Sequence, residues 1–225
     1  MKERLMRFCN YFFLFVSLGA LPYNVFSQQD TVRNPEQFLF PEFSVGVARM
    51  QSGEKIILEL NYNIVSEKMV FMQKKQIFDI VNPSLIDTIF IEGRKFIPSG
   101  KVFYEIVVNG QASFFIQHKG AVKKPPRPAA YGGTSEVSSS TYINNLKMGS
   151  NVYRMEQNTE IIIEPCSLYW IRKNHEMYLV TNKKSLLEIF ADRKREVKEF
   201  MSKPKFDTEN SEQLKDLVNY YNGLL

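Results

Sequence analysis

The hydrophobic pattern of this chain changes its period once, and that change limits the folds open to it. From about residue 44 to residue 118 apolar side chains recur at every second position, which is typical of half-buried strands. After Asn182, a residue type favoured at helix N-caps, the apolar spacing becomes helical and stays so to about residue 222. Strands that come first and helices that come last predict an α+β fold.

Short turns between the apolar segments predict an antiparallel β meander that curls into a small barrel or sandwich. The clearest hairpin runs from Phe103 to His118 around Asn109-Gly110, a pair that favours a type I′ turn with two positive φ values. A second hairpin is predicted around Lys173-Asn174-His175. Further strands are expected at 44–50, 55–62, 67–73, 76–81, 86–92, 94–97, 152–155 and 160–163.

The same pattern predicts where each part of the chain begins and ends. We expect a flexible leader at 28–37, a β-rich domain at 38–181 and a C-terminal helical subdomain of two to three helices at 182–225. Asp192 is the predicted cap of the second helix, and Pro204 is expected to end it.

A long stretch inside the β-rich domain has a different composition. Prolines lie among lysines and an arginine after residue 119, and a run rich in glycine and serine follows to residue 151. Proline removes backbone donors, while glycine and serine raise the entropy of the chain, so we expect a long exposed loop at 119–151.

Residues 1–27 have the layout of a cleavable secretory signal. A basic start is followed by an apolar segment of about 14 residues and by a small residue, Ser27, before Gln28. An uncleaved anchor is the alternative, but the apolar segment is shorter than the roughly 20 residues that a spanning helix needs. We therefore expect an exported protein with no transmembrane segment once the signal is removed.

Charge and cysteine content restrict the partners and the redox chemistry. Removing the three basic residues and one acidic residue of the signal from totals of 29 and 24 leaves a net charge of +3. That charge gives no reason to expect a nucleic-acid partner. Cys166 is the single cysteine after residue 27, so a disulfide framework is excluded.

Several segments of the chain after the signal are distinctive: Leu39-Phe40-Pro41-Glu42-Phe43, Leu60-Asn61-Tyr62-Asn63, Phe103-Tyr104-Glu105, Ala130-Tyr131-Gly132-Gly133-Thr134-Ser135 and Tyr169-Trp170-Ile171-Arg172-Lys173. They resemble an exported family of β-rich envelope proteins from Bacteroidetes-type bacteria. The resemblance covers nearly the whole chain after the signal, and it implies periplasmic or outer-membrane surroundings in a Gram-negative cell. It supplies no catalytic residues.

Few residues suggest catalysis, a metal or a cofactor. Cys166 with His118 or His175 would supply a thiol nucleophile and a base, but no cysteine-protease signature surrounds Cys166, so we expect it to pack as a small hydrophobic residue. The histidine and cysteine spacing fits no metal site, and we predict neither metal nor cofactor. The Gly132-Gly133 segment lacks the lysine of a phosphate-binding loop.

We therefore interpret the chain as a non-enzymatic binding or scaffolding protein of the cell envelope, with an envelope protein or a glycan as partner. The alternatives are a hydrolase with an unrecognised site and a carbohydrate-binding module. Trp170 is expected in the core, although indole rings also stack on sugars. The pattern does not predict an oligomeric state. The predicted contact residues lie in the basic loop: Lys119, Lys123, Lys124, Arg127 and Tyr131.

Overall fold

The computed structural model describes residues 35–123, 162–202 and 206–225, all within one compact unit, Arg33–Leu225. The strands are β1 (Ser44–Met50), β2 (Lys55–Asn63), β3 (Lys68–Gln73), β4 (Gln76–Asp79), β5 (Ile86–Ile91), β6 (Arg94–Ser99), β7 (Val102–Val108), β8 (Ala112–Gln117), β9 (Gly120–Lys123), β10 (Ile162–Pro165), β11 (Leu168–Lys173) and β12 (Glu176–Leu179). The helices are α1 (Lys183–Ile189), α2 (Lys194–Met201) and α3 (Ser211–Asn222). Single 3₁₀ turns lie at Pro35–Gln37, Pro83–Leu85 and Ala191–Arg193.

Ten of these strands form one antiparallel sheet in the order β12-β11-β8-β7-β6-β5-β1-β2-β3-β4. Strands β1 to β4 form one meander and β5 to β8 form a second, and the two are joined because β5 returns to pair with β1. Strands β9 and β10 pair in a separate two-stranded sheet. With three helices at the C-terminal end, this architecture confirms the predicted α+β fold.

Turn chemistry explains three of the seven hairpins in the ten-stranded sheet. These three close through two-residue turns in which both residues have positive φ: Lys74-Lys75, Glu92-Gly93 and Asn174-His175. The predicted hairpin of β7 and β8 is present, but the predicted turn type is wrong. Its loop spans residues 109–111, and neither Asn109 nor Gly110 has positive φ.

The loop between β7 and β8 is instead shaped by its contact with the end of α3. The Asn222 side chain donates to the carbonyl of Ala112 and accepts from its N–H, both at 2.9 Å. A Cβ on Gly110 would lie 2.6 Å from Nδ2 of Asn222, so the glycine permits this close approach. Because the contact joins distant parts of the chain, local turn preference did not predict it.

Of the two helix caps predicted from the sequence, one is confirmed and one is wrong. Asn182 caps α1 as predicted: its side chain accepts from the N–H of Ser185 at 3.0 Å, and the Ser185 hydroxyl accepts from the Asn182 N–H at 3.3 Å. Asp192 is not the cap of α2, which begins at Lys194 without a side-chain cap. Asp192 accepts hydrogen bonds from Lys173 and from the Tyr221 hydroxyl, so it links β11 to α3.

The exposed loop predicted at 119–151 is wrong in its first residues, because Gly120–Lys123 form β9. The N–H of Gly120 donates to the carbonyl of Ile64 at 2.8 Å. A Cβ on Gly120 would lie 2.8 Å from Cγ1 of Ile64, so this position requires glycine. The rest of the loop, the signal, most of the leader, the strand predicted at 152–155 and Pro204 lie outside the described residues.

Two hydrophobic cores line one face of the ten-stranded sheet, which we call the inner face. The helix-covered core forms where α1, α2 and α3 pack on β7, β8 and β11; it includes Phe114, Ile116, Ile171, Leu186, Phe190, Leu217 and Tyr221. The sheet-enclosed core forms where the sheet bends over itself; it includes Phe40, Leu60, Tyr62, Met69, Ile89, Phe96 and Phe103. The Tyr62 hydroxyl donates to the carbonyls of Phe103 and His118, at 3.3 and 3.2 Å, across this bend.

Candidate functional site

The end of β8 places neighbouring residues on opposite faces of the sheet. Successive strand residues point to opposite sides, so His118 faces the inner side and Gln117 faces the other side, which we call the outer face. The His118 ring lies 6.0 Å from the ring of Tyr62 in the sheet-enclosed core. Both Gln117 and His118 are buried, so each needs hydrogen-bond partners.

On the inner face, His118 joins Arg94 of β6 and Glu105 of β7 in an ionic cluster, named here the Arg94–Glu105–His118 cluster. Nε of Arg94 donates to Oε1 of Glu105 at 2.7 Å, and Nη2 donates to Oε2. Nε2 of His118 lies 2.6 Å from Oε2 of Glu105 and 2.8 Å from Nη2 of Arg94. The carboxylate therefore receives two hydrogen bonds from one guanidinium, which is the strong bidentate form of this pair.

The electrostatics of the cluster favour an ionised carboxylate. Burial raises the pKa of Glu105, but hydrogen bonds from Arg94 and from His118 outweigh that effect and hold the pKa below its ordinary value. The guanidinium also lies over the rings of Phe40 and Phe96, at 5.2 and 5.7 Å from their centroids. Because Glu105 pairs with Phe96 on one side and Ile116 on the other, the cluster lies between the two cores.

Ser167 approaches the free side of the His118 ring, a contact that the sequence pattern did not reveal. Its Oγ lies 3.4 Å from Nδ1 of His118. The predicted packing of Cys166 as a small hydrophobic residue is wrong, because the thiol is exposed between β10 and β11. His175 lies in the turn at the far end of β11, about 20 Å along the strand from Ser167. The fold therefore brings Ser167 close to His118 and leaves His175 far from both residues.

On the outer face, five residues form what we call the Tyr104–Trp170 surface: Glu67, Tyr104, Gln117, Lys119 and Trp170. The indole N–H of Trp170 donates to Oε1 of Gln117 at 3.0 Å, and Nε2 of Gln117 donates to Oε2 of Glu67 at 2.5 Å. Lys119 forms an ion pair with Glu67 at 2.8 Å. Trp170, predicted as a core residue, is half-buried here, because its face of the sheet is not covered by the helices.

The two described residues that were predicted for a partner contact, Lys119 and Lys123, lie in different ion pairs. Lys119 is paired with Glu67 in the Tyr104–Trp170 surface, and Lys123 forms an ion pair with Glu164 between β9 and β10. Lys124, Arg127 and Tyr131 lie outside the described residues. The two described lysines therefore have acidic partners, which reduces the positive potential expected of this basic segment.

Two of the residues missed by the sequence reasoning carried a readable signal. Glu105 is two positions from Phe103, and Arg94 is two positions from Phe96, so each charge falls on the side of the strand that carries a core phenylalanine. A charged residue at a core-facing strand position needs a partner, which is how this pair could have been found. The approach of Ser167 to His118 depends on tertiary structure and had no comparable signal.

The described residues contain no group of three or more histidine, cysteine, aspartate or glutamate side chains arranged to hold a metal ion. Within the same residues, no helix is long and apolar enough to cross a membrane. No protein family, curated protein or solved structure matches this chain.

Proposed function

We propose that this protein is an exported binding or scaffolding protein of the bacterial cell envelope, periplasmic or associated with the outer membrane. It acts by contact with another envelope protein rather than by catalysis. The secretory layout of residues 1–27 supports export. The resemblance to exported β-rich proteins of Bacteroidetes-type bacteria supports the envelope location.

An exposed apolar patch on the outer face carries the proposal. Val47 of β1 faces Ile57 of β2 on one side and Phe90 of β5 on the other. Val45 extends the patch along β1. Val45 is 72% exposed, Ile57 70% and Phe90 40%. Apolar groups on adjacent strands, left open to water, are typical of a protein–protein contact.

Charged residues border this patch. Glu59 lies opposite Val45, and Lys95 lies opposite Phe90. Arg49 and Asp87 form an ion pair where β1 ends and β5 begins. An apolar centre with a charged rim is the usual anatomy of a protein interface.

The experiment compares capture of envelope proteins by two matched variants of the tagged mature protein. Ile57→Lys adds a charge to the centre of the patch, and Val81→Lys adds the same charge at another exposed apolar position, 83% exposed. We expect Ile57→Lys to lose at least about tenfold of the partner that the wild type and Val81→Lys capture, with melting temperatures unchanged. Equal capture by all three proteins would contradict the proposed surface.

Export is tested separately by N-terminal sequencing of the envelope-bound protein. We expect a mature chain that begins at Gln28 or within two residues of it. A chain that still carries Met1 would contradict the cleaved signal.

One observation favours a second candidate, a hydrolase that uses Ser167. The His118 ring contacts Glu105 through Nε2 and Ser167 through Nδ1. An acid, a base and a nucleophile are connected in this order in serine hydrolases. When Nε2 of His118 donates to Glu105, Nδ1 is free to accept the Ser167 proton. A fluorophosphonate probe distinguishes the two candidates. In a hydrolase, Oγ of Ser167 bonds to the phosphorus of the probe, fluoride leaves, and the protein is labelled. A protein that only binds a partner stays unlabelled. Ser167→Ala is the control.

A further inference from the structure

The Tyr104–Trp170 surface has two aromatic rings fixed at a right angle on the outer face. The ring centroids lie 6.2 Å apart with an interplanar angle of 86°, and both residues are half-buried. In this edge-to-face contact one ring gives its edge to the other, so ring faces remain for a ligand. Tyr104, Gln117 and Trp170 lie on β7, β8 and β11, and β6 separates these strands from the apolar patch around Val47 in the sheet. Glu67 contacts them from the turn between β2 and β3.

The indole ring is held by a buried polar frame. Gln117 is 8% exposed, and its amide bonds to Trp170 through the oxygen and to Glu67 through the nitrogen. Glu67 has a φ of 56°, a left-handed conformation that is uncommon for a residue with a Cβ. A residue keeps such a strained conformation where several contacts hold it in place, and here Gln117 and Lys119 both bond to the Glu67 side chain.

The charges of the frame cancel. Lys119 neutralises Glu67 at 2.8 Å. The guanidinium of the nearby Arg172 lies over Phe115 and donates to the Ser113 hydroxyl. The five residues of the surface therefore offer aromatic faces and polar groups without net charge among them, which suits a neutral ligand that has one flat apolar face and several hydroxyl groups.

We propose that the Tyr104–Trp170 surface binds a neutral β-1,4-linked saccharide with equatorial hydroxyl groups. The C–H bonds on the flat face of such a sugar carry a small positive charge and pack on the negative face of an aromatic ring. Its hydroxyl groups bond to the carboxylate of Glu67 and the ammonium group of Lys119, whose side chains are 17% and 36% exposed. This site is distinct from the protein-contact patch of the proposed function.

The chain offers its own reporter for this site, because Trp170 is the single tryptophan among 225 residues. We expect cellohexaose or chitohexaose to change the Trp170 fluorescence saturably, with a Kd below about 1 mM. β-1,4-Mannohexaose, with an axial hydroxyl on each ring, is expected to bind at least about tenfold more weakly. No saturable change with either of the first two sugars at about 10 mM, or equal binding of mannohexaose, would overturn the proposal.

Two variants test which residues bind the sugar. Tyr104→Ala keeps the reporter and is expected to weaken binding about tenfold or more, whereas Tyr178→Ala, an exposed tyrosine of β12, leaves it unchanged. Trp170→Phe, measured by calorimetry, keeps the test informative if Tyr104→Ala fails to fold. Wild-type affinity in both surface variants would overturn the site. Ile57→Lys is expected to leave sugar binding unchanged, so failure of this proposal is distinguishable from failure of the proposed function.

Discussion

The two cores line the same face of one sheet but are closed in different ways. The helix-covered core is closed by C-terminal segments, as in the contact of the Phe190 and Tyr221 rings, 4.3 Å between centroids. The sheet-enclosed core is closed by bending of the sheet, with the Tyr62 hydroxyl bonded across the bend. An alternating pattern therefore identifies the buried side of a strand but not the element that covers it.

The boundary between the cores is polar. Glu105 has a neighbour from each core, Phe96 on β6 and Ile116 on β8. A charge pair that is fully hydrogen-bonded at such a place costs desolvation energy, and removing one partner leaves the other charge uncompensated. We therefore expect substitutions in the cores and at their boundary to lower the free energy of unfolding by different amounts and with different pH dependence.

The largest expected effect is in the helix-covered core. Phe190→Ala removes a fully buried ring and leaves a cavity beneath the helices, so we expect the free energy of unfolding to fall by about 3–5 kcal/mol. Phe78→Ala is the matched control, because this ring is 41% exposed on the edge strand β4, and its loss is expected to be less than about 1 kcal/mol. Urea denaturation measures both. Equal losses would mean that the helices do not close a core.

A smaller effect is expected at the boundary. Glu105→Gln removes the charge that pairs with Arg94, and we expect a loss of about 2 kcal/mol, moderate because Arg94 is partly exposed. Asp79→Asn makes the same chemical change in the more exposed pair with Lys68 and is expected to cost less than about 1 kcal/mol. If Asp79→Asn costs as much as Glu105→Gln, the cluster at the boundary has no special role.

The boundary is also expected to be sensitive to acid. Because the pKa of Glu105 is held below its ordinary value, its ionic contribution is complete above the ordinary carboxyl pKa and is lost as pH falls through the lowered one. The difference in unfolding free energy between wild type and Glu105→Gln should therefore shrink from about pH 7 toward about pH 3. The same difference for Phe190→Ala should stay nearly constant. A wider gap for Glu105→Gln in acid would contradict the sign of this shift.

The sequence predicted much of the fold because the signals involved are local. Alternating apolar residues identified the strands, turn residues such as Asn174 indicated a hairpin, and Asn182 indicated the start of a helix. The errors arose where a distant contact decides the local structure. The loop at Gly110 follows from Asn222, and Asp192 bonds to Lys173 and Tyr221 instead of capping α2.

Less of the candidate site was predictable. The sequence identified His118, but it offered Cys166 as a nucleophile, whereas Ser167 is the residue that approaches the ring. Such a contact needs β8 and β11 to be paired in register, and that register is a property of the whole sheet. The pair of Arg94 and Glu105 could have been predicted from the sequence, because both charges alternate with core phenylalanines.

The smallest expected effect is at Cys166, which belongs to neither core. Its thiol is exposed, so Cys166→Ser places a hydroxyl in water and is expected to change the free energy of unfolding by less than about 0.5 kcal/mol. The backbone N–H of Cys166 still donates to the carbonyl of Lys119, since that bond does not involve the side chain. In the mature protein this thiol should also react with a thiol reagent without prior unfolding, because the thiolate reaches the reagent directly. A loss above about 1 kcal/mol, or a thiol that reacts only in denaturant, would place Cys166 inside a core and would require a different packing between β10 and β11.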